Sequence, residues 1–192
     1  MTSAAPVAIP RLTSGPFTAA QQRIITAAHG LFAEHGISGT SLQMIADALG
    51  VTKAAVYHQF KTKDEIVLAA ASSELRILED AVEAAEAEPS RDRARDVLLT
   101  QVVDIAVARR RRATLLQSDP VMVRLLARHE PFRQLMDRVY SLLVGDAEGD
   151  TRIQAAMLAS AIGAAVVHPL VIDLDDDELR AQLLNFVQRL RH

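Results

Sequence analysis

The spacing of apolar and polar residues predicts a series of helices that begins near residue 18 and continues to the carboxyl end. In the segment 40–60, apolar residues recur at intervals that place side chains on one helical face: Leu42, Ile45, Ala46 and Leu49. Gly50 follows and can take the left-handed conformation in which many helices end. Val56 and Phe60, four residues apart, mark the buried side of a second short helix. The pattern therefore predicts two short helices joined by a tight turn at residues 49–51.

Polar residues at the predicted helix starts agree with this assignment. Thr40 is expected to cap the first helix of the pair and to form a capping box with Gln43. Thr52 is placed to cap the second helix, and Thr62 with Glu65 repeats the box at the start of the next one. Three closely spaced helix starts with a glycine turn between the first two are typical of a helix-turn-helix, whose second helix enters the DNA major groove. An ordinary packed helical hairpin is the alternative.

Residues 18–70 also resemble the DNA-binding domain of the TetR family of one-component transcriptional regulators. The matching stretches are TAAQQRIITAAHGLFAEHG, GTSLQMIADALGV, TKAAVYHQF and KTKDEIVLAA. Tyr57, Phe60 and Lys63 match the family's tyrosine, phenylalanine and lysine, whereas Ala54 stands where the family usually has glycine. Alanine suits a helix better and adds a methyl group that can meet a thymine methyl or crowd the groove. This departure bears on the operator sequence rather than on DNA binding itself.

The resemblance implies an all-α fold, in which an N-terminal three-helix helix-turn-helix DNA-binding domain precedes a larger helical ligand-binding and dimerisation domain. It implies phosphate contacts from Thr40, Thr52, Tyr57 and Lys63. Base edges or flanking phosphates are expected to face Gln43, Lys53, Ala54, Ala55 and His58. For His58, covering the neighbourhood of Phe60 is an equal alternative. The core of this domain is expected to contain Ile24, Ala28, Leu31, Phe32, Leu42, Ile45, Leu49, Val56 and Phe60.

The rest of the chain predicts a helical body. Helices are expected over 64–88, 90–112, a short stretch after Asp119-Pro120, 131–144, 151–167 and 175–190, with a loop at Gly145 and Gly149. Pro89 is expected to end the first of these. The predicted organisation is a flexible arm at residues 1–17, a DNA-binding domain at 18–63, and an effector-binding and dimerisation domain at 64–192. Arg11 of the arm could enter a minor groove, or the arm could be a disordered tail.

The segment 155–167 is apolar on almost every side, so other protein surfaces must cover it. Its thirteen residues are too few for a bilayer span, which needs about 20. Together with the last helix, it predicts a four-helix interface between two copies of the chain, as in TetR-like proteins. The predicted interface residues are Ala155, Ala156, Ala159, Ser160, Gly163, Ala164, Leu183, Phe186 and Val187. Alternatively, both helices only complete the core of the monomer.

Charge is distributed unevenly along a chain whose net charge is −3. Residues 1–63 carry five basic and two acidic residues, so this part is net +3 and the remainder is −6. Such a distribution steers one end toward DNA, and so few cations per subunit suggest that two subunits bind together. The arginines at 109–112 and the acidic residues at 173 and 175–178 are expected to serve helix ends rather than to bind an anion or a divalent ion.

These features predict a homodimeric, ligand-responsive repressor of transcription that binds a palindromic double-stranded DNA operator. A small-molecule effector is expected among residues 75–145, in a pocket that is more aliphatic than aromatic. No phosphate loop, metal-spaced histidine pair or nucleophile elbow stands in the sequence, so we expect no enzyme, catalytic residue, metal or cofactor. The absence of cysteine is compatible with a cytoplasmic location, and no membrane partner is expected. The competing function is a helical protein-interaction module that does not use its helix-turn-helix on DNA. Effector, operator, regulated genes and the sign of regulation stay undetermined.

Overall fold

The computed structural model describes residues 16–144 and 151–189, and all regular structure within these ranges is helical. This confirms the predicted all-α class. The helices in chain order are α1 (Ala19–Gly39), α2 (Leu42–Leu49), α3 (Lys53–Gln59), α4 (Lys63–Glu86), α5 (Arg91–Ser118), α6 (Pro120–Arg128), α7 (Glu130–Val144), α8 (Thr151–Ala165) and α9 (Asp176–Arg189). A short 3-10 helix, Pro169–Val171, lies between the last two.

The ends of α4, α5 and α8 differ from their predicted positions, and α8 stops at Ala165 rather than 167. Helix α4 ends at Glu86 with Ala87 as its cap, and Pro89 disfavours helical geometry at Glu88, the residue before it. Helix α5 continues to Ser118 rather than stopping near Arg112. No glycine or proline interrupts the chain between Arg112 and the Asp119-Pro120 step, so the helix extends to the next residue pair that can stop it.

The first four helices and α6 enclose one apolar core, which we call the amino-terminal core. Its buried residues are Ile24, Ile25, Ala28, Phe32, Ile37, Ile45, Ala46, Val56, Phe60, Ile66, Val67, Ala69, Ala70, Ala71 and Met122. Six of the nine predicted core residues are among them, and the other three, Leu31, Leu42 and Leu49, are partly buried against it. The predicted core of the small domain is therefore confirmed.

A second cluster, the body core, lies farther along the molecule. It is built by α4, α5, α7, α8 and α9 around buried residues such as Val82, Leu98, Leu135, Ile162 and Leu179. Helix α4 is shared by both cores. Its first turns complete the amino-terminal core and its later turns, from Ala81 onward, enter the body core. The predicted domain boundary at residue 63 stays a prediction, and apolar packing crosses it.

The two charge runs contact each other. Arg110 of α5 donates from Nη2 to the carbonyl oxygen of Leu174 and pairs with Asp176, each at 2.9 Å. In the opposite direction, Arg180 of α9 forms a two-point ion pair with Asp104 of α5. The expectation that the arginine run only offsets a helix dipole in solvent is thus wrong for Arg110, whose side chain is 12% exposed. These pairs fix α9 to α5.

Some predicted features fall outside the described residues. These are most of the arm, including Arg11, and the loop with Gly145 and Gly149. The arm was predicted to reach residue 17, but Phe17 packs against the amino-terminal core. Among the helices that the structure describes, none combines the length and apolar character of a membrane span.

Candidate nucleic-acid interface

Helix α3 presents one side to the core and the other to solvent. Val56 is buried on the inner side, and Phe60, which follows the helix, closes the same core. The outer side carries the exposed residues Lys53, Ala54, Ala55, Tyr57 and His58. Four of these five predicted contact residues also line one surface depression of about 360 Å³, together with Lys61: they are Lys53, Ala54, Tyr57 and His58. This outer side, with Lys61, is called the reading face below.

The turn before α3 sets the direction of the reading face. Gly50 has φ 65° and ψ 32°, the left-handed conformation predicted for it, and its N–H donates back to the end of α2. Thr52 then caps α3, because its hydroxyl oxygen accepts the N–H of Ala55 at 3.2 Å. The Thr52 residue is exposed, so its O–H hydrogen is available to a phosphate oxygen. The predicted cap is confirmed, and the phosphate contact stays a prediction.

Lys61 belongs to the reading face, although it is not among the contact residues predicted from the sequence. Its Nζ lies 5.2 Å from the centre of the Tyr57 ring, within the range of a cation–π contact. Thr62 caps α4 as predicted, but the Glu65 side chain accepts the backbone N–H of Lys61 at 2.8 Å, so it does not complete the predicted capping box with Thr62. The sequence feature that could have identified Lys61 is its position four residues after Tyr57, just beyond the end of α3.

Gln43 is an exposed residue of α2, the helix that packs against α3. Its Nε2 donates to Asp47 Oδ1 at 2.7 Å, one helical turn later. This bond fixes the amide plane and leaves the carbonyl oxygen and the second N–H free to meet a base edge or phosphate. Gln43 does not form the predicted capping box. Ser41 caps α2 instead, by accepting the N–H of Met44.

Thr40 does not fit the predicted phosphate contact. It is only 2% exposed. Its hydroxyl is directed at the carbonyl oxygens of Gly36 and Leu31, at 2.8 and 3.2 Å. A threonine that ends the turn after α1 can reach those carbonyls, whereas the next residue, Ser41, faces the free N–H groups of α2. Thr40 is therefore a structural residue of the turn.

Lys63 is likewise turned inward. Its ammonium donates to the carbonyl oxygens of Ile37 and Thr40 at 2.8 and 2.9 Å, with Ser38 at 3.5 Å. These contacts engage its three donors at the end of α1, where carbonyl groups lack helical partners. The phosphate contact predicted for Lys63 is not supported by this geometry. Lys61, two residues earlier, occupies the exposed position.

The predicted dimer residues divide into two groups. Leu183 and Val187 are buried in the body core of one subunit, so their assignment to an interface is wrong. Phe186 is 55% exposed, and Gly163 is half-buried. Of the predicted residues on α8, Ala156, Ala159, Ser160 and Ala164 are exposed, whereas the side chain of Ala155 lies outside the described part of the chain. Met157 and Ile153, which were not predicted, are 67% and 53% exposed on the same helix.

The middle of the body, where an effector was expected, contains inward-facing polar groups. Glu79 of α4 is 7% exposed. Arg138 of α7 forms a two-point ion pair with Glu86, and this hydrogen bond, joined by the charges of Glu83 and Glu79, raises the pKa of Arg138. His129, between α6 and α7, is half-buried, and burial lowers its pKa, which favours the neutral imidazole. Among the described residues, no cluster of His, Asp or Glu is arranged to hold a metal ion.

Sequence comparison places the amino-terminal domain in a known group. Residues 24–70 match the profile of the family described as "Bacterial regulatory proteins, tetR family". The segment is similar to the HTH-type transcriptional regulator AcrR of Shigella flexneri, with 46% identity over 46 residues, 24% of this chain and 21% of that protein. A probable acrEF/envCD operon repressor of Escherichia coli (strain K12) is 44% identical over 46 residues, again 24% and 21% of the two chains. The match thus spans about a fifth of the length of these relatives.

Comparison of structures extends the likeness to the whole fold. The fatty acid degradation regulator FadR from Bacillus halodurans has a TM-score of 0.67 at 18% identity, covering 90% of this chain and 96% of its own. NalD, the secondary repressor of the MexAB-OprM multidrug efflux pump in Pseudomonas aeruginosa, has a TM-score of 0.63 at 22% identity, covering 88% and 95%. FadR from Bacillus subtilis in complex with stearoyl-CoA has a TM-score of 0.61 at 17% identity, covering 86% and 96%.

The solved structures establish the fold, and the sequence match covers the domain that holds the reading face. The helix-turn-helix at residues 41–59 lies within the part of the chain that matches the TetR family profile. The fold of the chain as a whole is shared with solved structures of bacterial transcriptional regulators.

Proposed function

We propose that the protein is a repressor of transcription that binds a palindromic operator as a homodimer and releases it when an effector binds. The reading face of α3 carries this proposal. It combines an exposed lysine, a methyl group, an imidazole and a phenol on one side of a short helix that is anchored from behind by Val56 and Phe60. Such a surface offers donors for guanine and phosphate beside an apolar contact for thymine.

Within that surface the contacts divide by chemistry. Lys53 and Gln43 can donate to base edges, and Ala54 can touch a thymine methyl. Thr52, Tyr57 and Lys61 are suited to phosphates, since each is exposed and offers an O–H or an ammonium. Ala55 and His58 complete the exposed side and face bases or flanking phosphates.

Dimer formation is supported by the exposed apolar side of α8 and α9. Met157, Ile153 and Phe186 would otherwise leave large apolar side chains in water, and the small residues between them allow another helix to approach closely. A two-fold related pair of reading faces matches a palindromic site. Two subunits would also double the cations that contact DNA, which a domain of net charge +3 needs at cellular salt.

The effector is proposed to bind among the middle helices and to have an aliphatic portion. The chain contains 4% aromatic residues and no tryptophan, which favours an aliphatic lining over stacking on planar rings. The stearoyl-CoA in the related Bacillus subtilis structure belongs to the same chemical class. Because an operator lies on the chromosome, this function would operate in the bacterial cytoplasm.

A selection from a random duplex pool at several salt concentrations tests the DNA-binding proposal. We expect a palindromic sequence to be enriched and its affinity to fall steeply with salt. A matched selection with Val123→Ala, a change at an exposed site on α6, should enrich the same sequence. If no sequence is enriched and binding is lost by moderate salt, the protein is a helical interaction module instead.

A further inference from the structure

The 36–40 turn, which comprises the kinked end of α1 from Gly36 onward and the step into α2, is held from two directions. On one side, Asp119 Oδ2 accepts the backbone N–H of Ile37 at 3.0 Å, across 82 residues of sequence. On the other side, the Lys63 ammonium donates to the carbonyl oxygen of the same residue at 2.8 Å. Ile37 itself is buried in the amino-terminal core. The peptide groups on both sides of one buried residue are thus fixed by charged side chains.

The Asp119 carboxylate also accepts a second hydrogen bond. Its other oxygen, Oδ1, accepts the N–H of Val121 at 2.8 Å and so caps the first turn of α6. Pro120 occupies the first helical position, where a missing N–H costs nothing. Behind the cap, Met122 is 2% exposed within the amino-terminal core. One carboxylate therefore joins the start of α6 to the end of α1.

The conformation of Gly36 makes this contact possible. Its φ of 70° bends the chain out of the α1 helix and redirects the N–H of Ile37. L-residues with side chains rarely adopt this conformation, and a Cβ at this position would lie 3.8 Å from Asp119 Oδ2. Helix α2 begins within a few residues of the turn, with Ser41 as its cap. Displacement of the turn would therefore carry α2 and α3 with it.

We infer that Asp119 is a positioning residue that fixes the reading face relative to the body, and so sets the half-site spacing that the dimer accepts. The inference rests on the proposed function. With the link in place, two bodies joined at α8 and α9 hold two reading faces at one separation. Without the link, each amino-terminal domain can turn relative to its body at the middle of α4, between the turns that enter the two cores, and several spacings become acceptable at a lower affinity for the best one.

The test uses the full-length protein and the palindrome enriched in the selection above, with the half-site spacing lengthened or shortened by one and two base pairs. We expect the wild-type affinity to fall about tenfold or more at the wrong spacing. In Asp119→Ala the ratio of the affinities at the right and wrong spacings should shrink to about threefold or less. The affinity for an isolated half-site should stay within about twofold of wild type. Ser90→Ala, which removes the cap of α5 far from the turn, is the matched control and should keep the wild-type profile.

Asp119→Asn separates the two hydrogen bonds of the carboxylate. The two N–H groups are accepted by different carboxylate oxygens, and in the carboxamide one of these becomes an NH2 group that cannot accept, so the hydrogen bond to either Ile37 or Val121 is lost. Hydrogen exchange at the Ile37 amide should accelerate about tenfold or more in Asp119→Ala, and the Ala55 amide in α3 should be unaffected.

A wild-type spacing profile in Asp119→Ala, with the operator still recognised, would overturn the role of Asp119 and leave the proposed function standing. Unchanged exchange at Ile37 would overturn the link itself. If the wild-type protein enriches no palindrome, the proposed function fails, and the spacing role fails with it. A uniform loss of affinity at every spacing and at the half-site would make Asp119 a residue of general stability only.

Discussion

Lys61 and Lys63 are two residues apart, yet their ammonium groups face opposite surroundings. Lys61 extends over the exposed Tyr57 ring, whereas Lys63 turns back to the carbonyl groups at the end of α1. The change occurs where Phe60 enters the core and Thr62 starts a new helix. The two lysines therefore give separate predictions for DNA affinity and for folding.

Lys61→Ala should weaken binding to all duplexes alike, because an ammonium beside a phosphate carries no sequence information. The slope of log K against log salt should become shallower by about 1. Titrations of the selected and a scrambled duplex at several salt concentrations measure both effects. A loss confined to the selected sequence would instead make Lys61 a base-reading residue.

Lys63→Ala should lower the free energy of unfolding by about 1.5–3 kcal/mol, the usual contribution of hydrogen bonds to a charged group. The change leaves carbonyl groups at the end of α1 without their donor. Urea unfolding followed by circular dichroism measures it, with Lys61→Ala as the exposed control. Equal free energies of unfolding for the two variants would instead support the phosphate contact that the sequence predicts for Lys63.

Lys53→Ala should change which operator sequence is preferred, because Lys53 opens α3 on the reading face and can donate to guanine. Repeating the selection with the variant identifies the base pair whose preference is altered. At that base pair, the variant should lose about 1–3 kcal/mol of discrimination against the wrong base. If the variant keeps the wild-type preference and is only weaker throughout, Lys53 contacts phosphate rather than a base.

At the level of elements, α8 and α9 each carry a buried and an exposed apolar side. Leu183 and Val187 enter the body core, while the adjacent Phe186 faces outward. In the sequence, all three are apolar residues of one helix. Their spacing alone does not show which side of the helix packs into the core of the monomer and which side contacts a partner. Only the contacts with α5 and the reciprocal ion pairs of α9 decide the rotation of the helix.

Met157→Asp should convert the proposed dimer to monomers, because the side chain is 67% exposed in one subunit and a charge there would be buried against a partner. Sedimentation measures the change. Val123→Asp on α6 is the matched control, since Val123 is also exposed and apolar but lies outside α8 and α9. A dimer that survives Met157→Asp would place the interface elsewhere.

The ends of helices could be predicted from the sequence most accurately where a glycine or a proline is present. Gly50 ended α2 and Pro120 opened α6, as their backbone preferences require. The adjacent hydroxyls of Thr40 and Ser41 could not be distinguished in advance. Which of them caps α2 depends on how the 36–40 turn enters the core, and that turn is shaped by Asp119, far away in sequence.

At the scale of the whole molecule, the two apolar cores and the charge distribution act together. The cationic part of the chain holds the reading face, and the acidic remainder holds the body, so the proposed approach to DNA would be oriented before any contact forms. The positions of the charged residues along the sequence were sufficient to predict this asymmetry, and the apolar periodicity together with the family resemblance predicted the all-α class. The link between the two parts was not predictable, because it depends on one carboxylate meeting a backbone group 82 residues away.

The sharing of α4 between both cores has a consequence for engineering. A chimeric regulator that exchanges operator specificity by cutting at residue 63 would separate the small domain from Ile66, Val67 and Ala70, which complete its core. A junction beyond Ala71 retains them. Even then, the recipient body must supply an acidic residue at the start of α6 and an apolar residue in the place of Met122. The unit that could be transferred to another protein therefore comprises residues that are far apart in sequence, and its surface must fit the body that receives it.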